Sequence, residues 1–394
     1  MVSTKAKLGR AENALFAYFT PGLPTTGMEW CHSGDRHELE RKVRRHLSEI
    51  QAHGTDRPAP GGQARPKFDA DRVVELLYRP FINRYLYHDA SLHEVLDRST
   101  TFFGDAGDAL NTCILLVDRG ADRPFTVCAS NTMAHLRYAG PGSSVNMVAL
   151  HRIGPGSRRT ENLTAWGLER FRAHFGPRLV RSLAEGVDAK VPSTIAAVRA
   201  ARAQGRKRPE VRPPVSAEID PITVFHYVYA VLNDPIHPPM RGPGSLIAPP
   251  IPLYRDLESW SDLGRRLLEL HTGFEMVEPW PLEVRTEHAG PARGAAVKAS
   301  VIVDKTNGSI QLDRYTSVQE IPSEAWSYVL GDRTALEWVA EAWREAITAR
   351  QDPAAKGGSR YIEQLERTIQ RIKKVCRVSM ETHRIRKELA MLTR

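Results

Sequence analysis

The stretch FDADRVVELLYRPFINRYLYHD, Phe68 to Asp89, joins two different apolar patterns. Its first half has apolar residues at roughly helical spacing, and Pro80 prevents any further helix, so we predict a short helix that ends near Tyr78. The residues after Pro80 alternate in the manner of a strand. One side of this strand carries the aromatic side chains of Phe81, Tyr85 and Tyr87.

Two arginines, Arg79 and Arg84, flank the turn at Pro80. A guanidinium group presents a planar fork of donors that matches a phosphate group or a base edge. Both arginines are therefore candidates for DNA contacts. An equally acceptable interpretation is that they cap the helix or pair with the carboxylates of Glu75 and Asp89.

The length and charge of the chain indicate how many packed units it can form and what kind of partner it favours. The chain has 394 residues, of which 41% are hydrophobic, and this is enough for two or three packed units. The formal net charge of +9 favours a polyanionic partner such as DNA. Charge alone does not decide the matter, because many basic proteins bind no nucleic acid.

The cysteines and the first residues indicate the compartment. Four cysteines lie far apart without a CxxC pair, so the sequence predicts buried thiols and neither a zinc ribbon nor a disulfide framework. The first residues lack the apolar run of a signal peptide, and no window is apolar enough for a membrane span. We therefore expect a cytoplasmic protein with no membrane association.

Apolar periodicity along the chain predicts an α+β fold: a mixed or antiparallel sheet domain with flanking helices and a C-terminal helical segment. Strands are predicted within 85–153 and 282–313, including the runs CILLVDRG, PFTVCAS and SVNMVALHRI, with RGADRP as a hairpin loop. Helices are predicted over 11–18, 36–50, 162–184, 219–232, 259–272, 321–349 and 359–392.

Two further groups of polar residues are candidates for DNA contact. Arg152, Arg158 and Arg159 lie where the last strand of the first strand region ends, although a solvated arginine cluster is the simpler interpretation. The segment 199–212 carries six Arg or Lys residues and could attract phosphates without defined geometry, or be only a solvated connector.

The second strand region contains a hairpin around the turn KTNG. Asn307 and Gly308 favour the positive φ of a tight turn. Side chains on hairpins can enter the major groove and read base edges. The candidates here are Lys298, Lys305, Asn307 and Arg314, and a solvated turn is the alternative.

The motif LYRPFINRYLYHD resembles the YRPF(D)xRYxYY signature of the C-terminal specificity region of type ISP restriction-modification enzymes, which is related to the MmeI-like target recognition domain. The resemblance continues in order along nearly the whole chain. The segments that carry it are ALFAYFTPGLPTTGMEW, RHELERKVRRHL, FHYVYAVLNDP, LGRRLLELHTGFE, VDKTNGSIQLD, IPSEAWSYVLGDRTALEWV and VSMETHRI. The chain departs from the family in GSLIAPPIPL, where Pro250 stands at the position of an arginine.

The resemblance implies three regions: a helical bridging segment and linker over 1–65, a target recognition domain over 66–320, and a C-terminal helical segment over 321–394. A target recognition domain requires no catalytic group. The sequence also lacks a glycine-rich loop for a methyl donor, the (N/D/S)PP(Y/F) motif of adenine methyltransferases and a Walker A loop.

The sequence thus predicts a noncatalytic specificity subunit of a restriction-modification or phage-defence system. It would bind double-stranded DNA and direct a separate DNA adenine methyltransferase, a helicase–nuclease, or both. We expect no cofactor or metal in this chain, with S-adenosylmethionine, ATP and Mg²⁺ bound only by partner chains. Two alternatives are a helical adaptor with no direct DNA role and part of a standalone DNA-modifying enzyme.

Overall fold

The computed structural model describes residues 14–25, 27–53, 67–92, 94–118, 125–154, 158–175, 219–236, 251–287, 301–348 and 358–394. The predicted α+β fold with a C-terminal helix is confirmed. The helices are α1 (Arg36–His53), α2 (Glu94–Phe103), α3 (Ala165–Phe175), α4 (Pro221–Leu232), α5 (Leu257–Thr272), α6 (Ala335–Thr348) and α7 (Gly358–Met391).

Within the ranges given above, the strands form three four-stranded sheets and two ribbons. The first sheet has the order β1-β8-β5-β6, the second β2-β4-β3-β7 and the third β11-β14-β13-β12, while β9 pairs with β10 and β15 with β16. All pairs are antiparallel except that of β3 with β7. The strands are β1 (Thr20–Pro21), β2 (His32–Ser33), β3 (Val73–Arg79), β4 (Ile82–Tyr87), β5 (Cys113–Asp118), β6 (Thr126–Ser130), β7 (Met133–Ala134), β8 (Ser144–Ala149), β9 (His151–Ile153), β10 (Arg159–Glu161), β11 (Glu283–Thr286), β12 (Ile302–Asp304), β13 (Ser309–Gln311), β14 (Thr316–Gln319), β15 (Val329–Leu330) and β16 (Arg333–Thr334).

Strand β5 separates two hydrophobic cores. Cys113, Leu115 and Val117 face one core, which also receives side chains from the second and third sheets, α6 and the middle of α7. Ile114 and Leu116 face the other core, which is covered by α3, α4 and α5. The uninterrupted apolar run of β5 follows from this burial on both faces, because successive side chains of a strand point to opposite sides.

The predicted helix in the organising stretch is wrong. Val73–Arg79 forms strand β3, which lies between β4 and β7 in the second sheet. An apolar run of this length fits either structure by spacing alone, and hydrogen bonding to strands on both sides stabilises the extended form. The strand predicted after Pro80 is confirmed as β4.

Two other predicted helices are wrong in part. Residues 14–18, the described part of the first, form no helix; Phe16 bridges to Leu163 and the amide of Ala17 donates to the carbonyl of Asn162. The helix predicted over 321–349 begins only at Ala335, because the ribbon β15-β16 turns at Gly331, whose φ is 77°. The helices predicted near 36–50, 219–232, 259–272 and 359–392 are confirmed.

The KTNG turn is confirmed between the paired residues Asp304 and Ser309, with four residues in the loop. Gly308 has a φ of 61°, whereas Asn307 does not have a positive φ. A Cβ atom at Gly308 would lie 2.5 Å from the carbonyl oxygen of Ile321, so glycine is required there. The RGADRP loop, the basic segment 199–212 and Lys298 lie outside the described residues.

All four cysteines are buried and free, as the sequence predicts: Cys31, Cys113, Cys128 and Cys376. In the described ranges, no group of three or more His, Cys, Asp or Glu side chains is arranged to hold a metal ion. Among the described helices, none is long and apolar enough to cross a membrane.

Residues on either side of positions 65 and 320, the two predicted region boundaries, pack against each other. The boundaries themselves stay a prediction. Strand β1 pairs with β8, and β2 pairs with β4, so residues before position 65 contribute to two sheets. Leu39 of α1 also packs in a small cluster with Val73 and Tyr87. Beyond position 320, Trp338 and Trp343 of α6 contribute to the same core as β5.

A buried polar group connects α4, α5 and α7. The hydroxyl oxygen of Tyr229 lies 2.5 Å from Nδ1 of His271, and Nε2 of His271 lies 2.9 Å from the hydroxyl oxygen of Thr382. Burial, together with the nearby charge of Arg386, lowers the pKa of His271 to about 3. His271 is therefore neutral in the folded protein at neutral pH.

We expect the free energy of unfolding to decrease as the pH falls from about 7 to about 5. In this range His271 takes up a proton in the unfolded chain, where its pKa is about 6.5, but not in the folded protein, and this effect amounts to about 2 kcal/mol. Urea unfolding at several pH values measures it. His271→Gln should lower the stability at pH 7 and reduce the pH dependence, whereas His37→Gln, at an exposed position of α1, should leave the pH dependence unchanged. Equal pH dependence in all three proteins would contradict this account.

Candidate nucleic-acid interface

Tyr78, at the end of β3, carries both arginines of the organising stretch on its ring. The guanidinium carbon of Arg84 lies 3.5 Å from the ring centroid, and that of Arg79 lies 4.5 Å from it. The alternation of the hairpin strands and the two-residue turn at Pro80 bring these side chains together. A cation over an aromatic face is stabilised by the ring quadrupole, so Tyr78 orients both arginines.

Arg79 also holds the hairpin to the neighbouring loop. Its Nη1 donates to the carbonyl oxygen of Arg137 at 2.6 Å and lies 3.4 Å from Nδ1 of His135. Burial lowers the pKa of Arg79, although arginine stays charged at any physiological pH. Arg79 thus has an internal structural role that the sequence did not reveal.

Two histidines border this arrangement. His135 packs against Tyr78 with ring centroids 4.8 Å apart, and its Nε2 lies 2.9 Å from the hydroxyl oxygen of Thr25. Burial first, and the charge of Arg79 second, lowers the pKa of His135 to about 3. Burial and the charge of Arg84 likewise lower the pKa of His32 to about 4. Both histidines are neutral at physiological pH, so the positive charge comes from the arginines.

Helix α6 brings two groups of predicted DNA-contact residues to one surface. Nη2 of Arg84 lies 3.9 Å from a carboxylate oxygen of Glu345, and Nζ of Lys305 lies 2.8 Å from a carboxylate oxygen of Glu337. These glutamates are eight residues apart on α6, which corresponds to about 12 Å along the helix. The β3–β4 hairpin and the KTNG turn therefore lie beside the same helix. We call this region the α6 surface, defined by Arg84, Lys305, Arg333 and α6.

The predicted DNA-contact residues of the third sheet differ in how far they are already engaged in contacts within the protein. Asn307 is exposed, but its Nδ2 donates to Asp304 at 2.7 Å, so its amide helps to fix the turn. Lys305 is paired with Glu337. Arg314 does not lie on the KTNG hairpin but in the next turn, between β13 and β14. It is exposed, and its guanidinium carbon lies 5.0 Å from the ring centroid of Tyr315. Arg314 is thus the best placed of these residues to reach a ligand.

The third predicted group lies on the β9-β10 ribbon. Arg152 donates to the carbonyl oxygen of Glu161 at 3.3 Å, and Arg159 donates to that of Leu110 at 2.7 Å. Arg158 and Arg159 are exposed. Both internal bonds use backbone carbonyls rather than carboxylates, so the positive charge of this ribbon is not neutralised by them.

Sequence reasoning missed Tyr78, Arg333 and the glutamates of α6. Arg333 lies 4.0 Å from Glu341, and Arg344 is hydrogen-bonded to the same carboxylate. Glutamates spaced by four residues in a helix are a visible signal, since they lie close to one face. Two of their partners, Arg84 and Lys305, come from other hairpins, however, and no local pattern in the sequence identifies them.

A family model described as the Type ISP C-terminal specificity domain matches residues 14–374. The chain belongs to this family. None of the curated proteins matches it in sequence. The resemblance noted in the organising stretch is therefore confirmed over most of the chain. The structure also places the family-like motif LYRPFINRYLYHD on the β3–β4 hairpin, beside the α6 surface.

Solved structures with the same fold include three proteins in complex with DNA or a DNA mimic. The DrdV–DNA complex matches with a TM-score of 0.70 and 26% identity, covering 98% of this chain and 37% of that one. A nuclease-deletion mutant of the Type ISP restriction-modification enzyme LlaGI, bound to a DNA substrate mimic, matches with a TM-score of 0.63 and 16% identity, covering 99% and 35%. The ATP-dependent Type ISP enzyme LlaBIII bound to DNA matches with a TM-score of 0.63 and 15% identity, covering 98% and 24%.

This Type ISP specificity domain therefore matches only 24% to 37% of the length of those three chains. The match to LlaGI and LlaBIII, at low identity, shows the fold. The match to DrdV, at 26% identity, extends to the sequence. What the three whole proteins do is a property of much longer chains.

Phe81 fixes the turn that carries Arg79 and Arg84. Its φ is 62°, a left-handed value that is rare for an aromatic residue, and its side chain is buried. Pro80 before it and positive φ at this position are the pattern of a type II turn, where glycine is usual. The ring packs edge-on against Phe274 with centroids 5.1 Å apart, so core burial offsets the backbone strain.

In most positions an alanine variant is more stable than a glycine variant, and at Phe81 we expect the opposite. Phe81→Ala should lower the free energy of unfolding by about 3–5 kcal/mol because it removes a buried ring. Phe81→Gly should be about 1–2 kcal/mol more stable than Phe81→Ala, because glycine adopts a positive φ without strain. Denaturant unfolding compares the variants.

Leu76 in the middle of β3 is the matched control, since it is also buried but lies in a regular strand. There Leu76→Gly should be less stable than Leu76→Ala by about 0.5–1 kcal/mol. The same order at both positions would show that the turn at Phe81 is not strained.

Proposed function

We propose that this Type ISP specificity domain recognises a sequence in double-stranded DNA for a restriction-modification system. The observation that carries the proposal is the family match over residues 14–374. The likeness to DrdV, whose structure is a complex with DNA, supports it. So does the net charge of +9, because phosphate neutralisation supplies much of the affinity of any DNA-binding protein.

The α6 surface supplies chemistry suited to this role. Arg84 is held against the ring of Tyr78 at 3.5 Å. A guanidinium that stacks through its face keeps donors at its edge, where they can meet a phosphate group. The KTNG turn joins β12 to β13, and Arg314 lies in the next turn of the same sheet, between β13 and β14. A hairpin is a shape that can enter the major groove. We propose that Arg84 positions DNA and that Arg314 reads a base.

We further propose that methylation and cleavage are carried out by a partner on a separate chain. In this proposal the domain itself binds no cofactor, and S-adenosylmethionine, ATP and Mg²⁺ bind only to the partner. The missing methyl-donor loop and (N/D/S)PP(Y/F) motif support this division. In DrdV, LlaGI and LlaBIII the same fold is part of a much longer chain.

The first test is DNA binding at several salt concentrations. We expect the affinity of the purified chain to fall steeply as salt rises, because Lys and Arg contacts release counterions. Arg84→Ala should weaken binding to all sequences alike and reduce the salt slope by about 1. Arg314→Ala should instead relax the preference at one base position by about 1–3 kcal/mol. Competition on a randomised site library, read by sequencing, separates the two effects.

Arg285→Ala is the matched control for these variants. Arg285 is an exposed arginine on β11 that is paired with Glu283 at 2.9 Å, and β11 lies at the opposite edge of the third sheet from β12. Its removal changes the net charge equally and should change affinity little. If the chain binds no DNA even at low salt, the helical adaptor becomes the better interpretation. If Arg314→Ala keeps the base preference, base reading would have to be sought at Arg158 and Arg159.

The proposed division of labour has its own test. Titration calorimetry of the chain with S-adenosylmethionine should give no saturable heat, and the chain alone should transfer no methyl group to DNA. Adding the partner methyltransferase should produce methylation at the sequence that this chain prefers. A saturable heat with the chain alone would contradict the proposal and would indicate a methyl-donor site in the domain.

A further inference from the structure

Helix α6 carries three glutamates at spacings of four residues: Glu337, Glu341 and Glu345. Four-residue steps keep them within an arc of about 80° and a length of about 12 Å. Each one faces basic side chains, and most of these come from other elements of the fold. Lys305 comes from the KTNG turn, Arg333 from β16 and Arg84 from β4.

Glu337 is part of the helix start. Its carboxylate accepts a hydrogen bond from the amide of Thr334 at 2.8 Å, and its own amide donates to the Thr334 hydroxyl at 3.2 Å. This is a capping box, which stabilises the first turn of α6. Although burial by itself raises the pKa of Glu337, hydrogen bonds from Lys305 and Thr334 hold that pKa below its ordinary value. Glu337 is therefore structural.

Glu341 and Glu345, unlike Glu337, form long ion pairs with the arginines that come from other elements. The separations between Glu345 and Arg84 and between Glu341 and Arg333 are 3.9 Å and 4.0 Å, at the outer limit of an ion pair. The side chain of Glu345 is 48% exposed. Exposed pairs of this kind contribute at most about 1 kcal/mol, so another anion can replace the carboxylate. Glu341 and Glu345 also line an open surface depression together with Arg344.

We propose that Glu341 and Glu345 compete with DNA phosphate groups for the arginines of the α6 surface and so lower the affinity for DNA of any sequence. This inference rests on the proposed function. A phosphate group that approaches Arg84 must displace the Glu345 carboxylate and is repelled by it. The carboxylates therefore reduce the sequence-independent attraction, and contacts to bases gain relative weight in binding.

The geometry limits the effect to particular residues. Arg84 keeps its contact with Tyr78 whether or not Glu345 is present, because the ring meets its face and the carboxylate approaches from α6. Removing the charge of Glu345 therefore leaves a guanidinium that is still oriented but no longer neutralised. Glu341 holds Arg344, whose Nη2 also donates to the carbonyl oxygen of Val301 at 3.0 Å, so that arginine too stays in place.

The test uses the full chain and a fluorescent duplex of random sequence at low salt. Glu345→Gln and Glu341→Gln should each bind about three- to tenfold more tightly than the unaltered protein and should steepen the salt slope by up to about 0.9, the value for one further phosphate contact. Glu283→Gln is the control, because it removes the same charge from an exposed ion pair on β11. It should change the affinity less than twofold.

A double-mutant cycle makes the inference specific to Arg84. In the Arg84→Ala background, Glu345→Gln should give little further gain, because the arginine that it releases is gone. A gain that persists in full, or variants that bind like Glu283→Gln, would overturn the inference. Circular dichroism and thermal unfolding confirm that each variant is folded.

The outcomes also distinguish this inference from the proposed function. If the unaltered chain binds DNA and the α6 variants do not bind more tightly, only the inference fails. If the unaltered chain does not bind but Glu345→Gln does, the competition is confirmed and is stronger than expected. If no variant binds DNA at low salt, both proposals are overturned.

Discussion

The fold depends on the burial of both faces of strand β5. Alternate side chains of this strand enter two different cores, so one short segment connects the helical layer of α3, α4 and α5 to the second and third sheets. Apolar burial on this scale stabilises a domain by far more than any surface contact. The position of every hairpin and helix on the α6 surface follows from that packing.

Helix α7 joins the same two cores along its length. Ile372 and Val375 pack in one core, whereas Ile385 and Leu389 pack in the other. Polar contacts accompany this packing. Arg394, just after α7, makes a bidentate contact with the buried Asp234, and His271 is hydrogen-bonded to Thr382 of α7. Buried polar groups must find partners, so they fix one register of α7 among those that apolar contacts alone would allow.

The α6 surface combines strong local order with weak electrostatic pairing. Phe81 and Tyr78 hold Arg84 in place through core packing and stacking, while Glu345 of α6 lies 3.9 Å from its guanidinium group. Oriented cations with replaceable partners suit a surface that exchanges one anion for another. Stacking and charge neutralisation therefore act on the same arginine without excluding each other.

The sequence by itself determined the family, the α+β class, the KTNG turn and most helices, because each follows from local motifs or from periodicity. It did not determine that Val73–Arg79 is a strand, since an apolar run of that length fits both structures and only pairing with β4 and β7 decides. Tertiary structure alone placed Arg84 and Lys305 beside the glutamates of α6. Arg84 and Glu345 are more than 200 positions apart, and the attraction between opposite charges carries no local signature in the sequence.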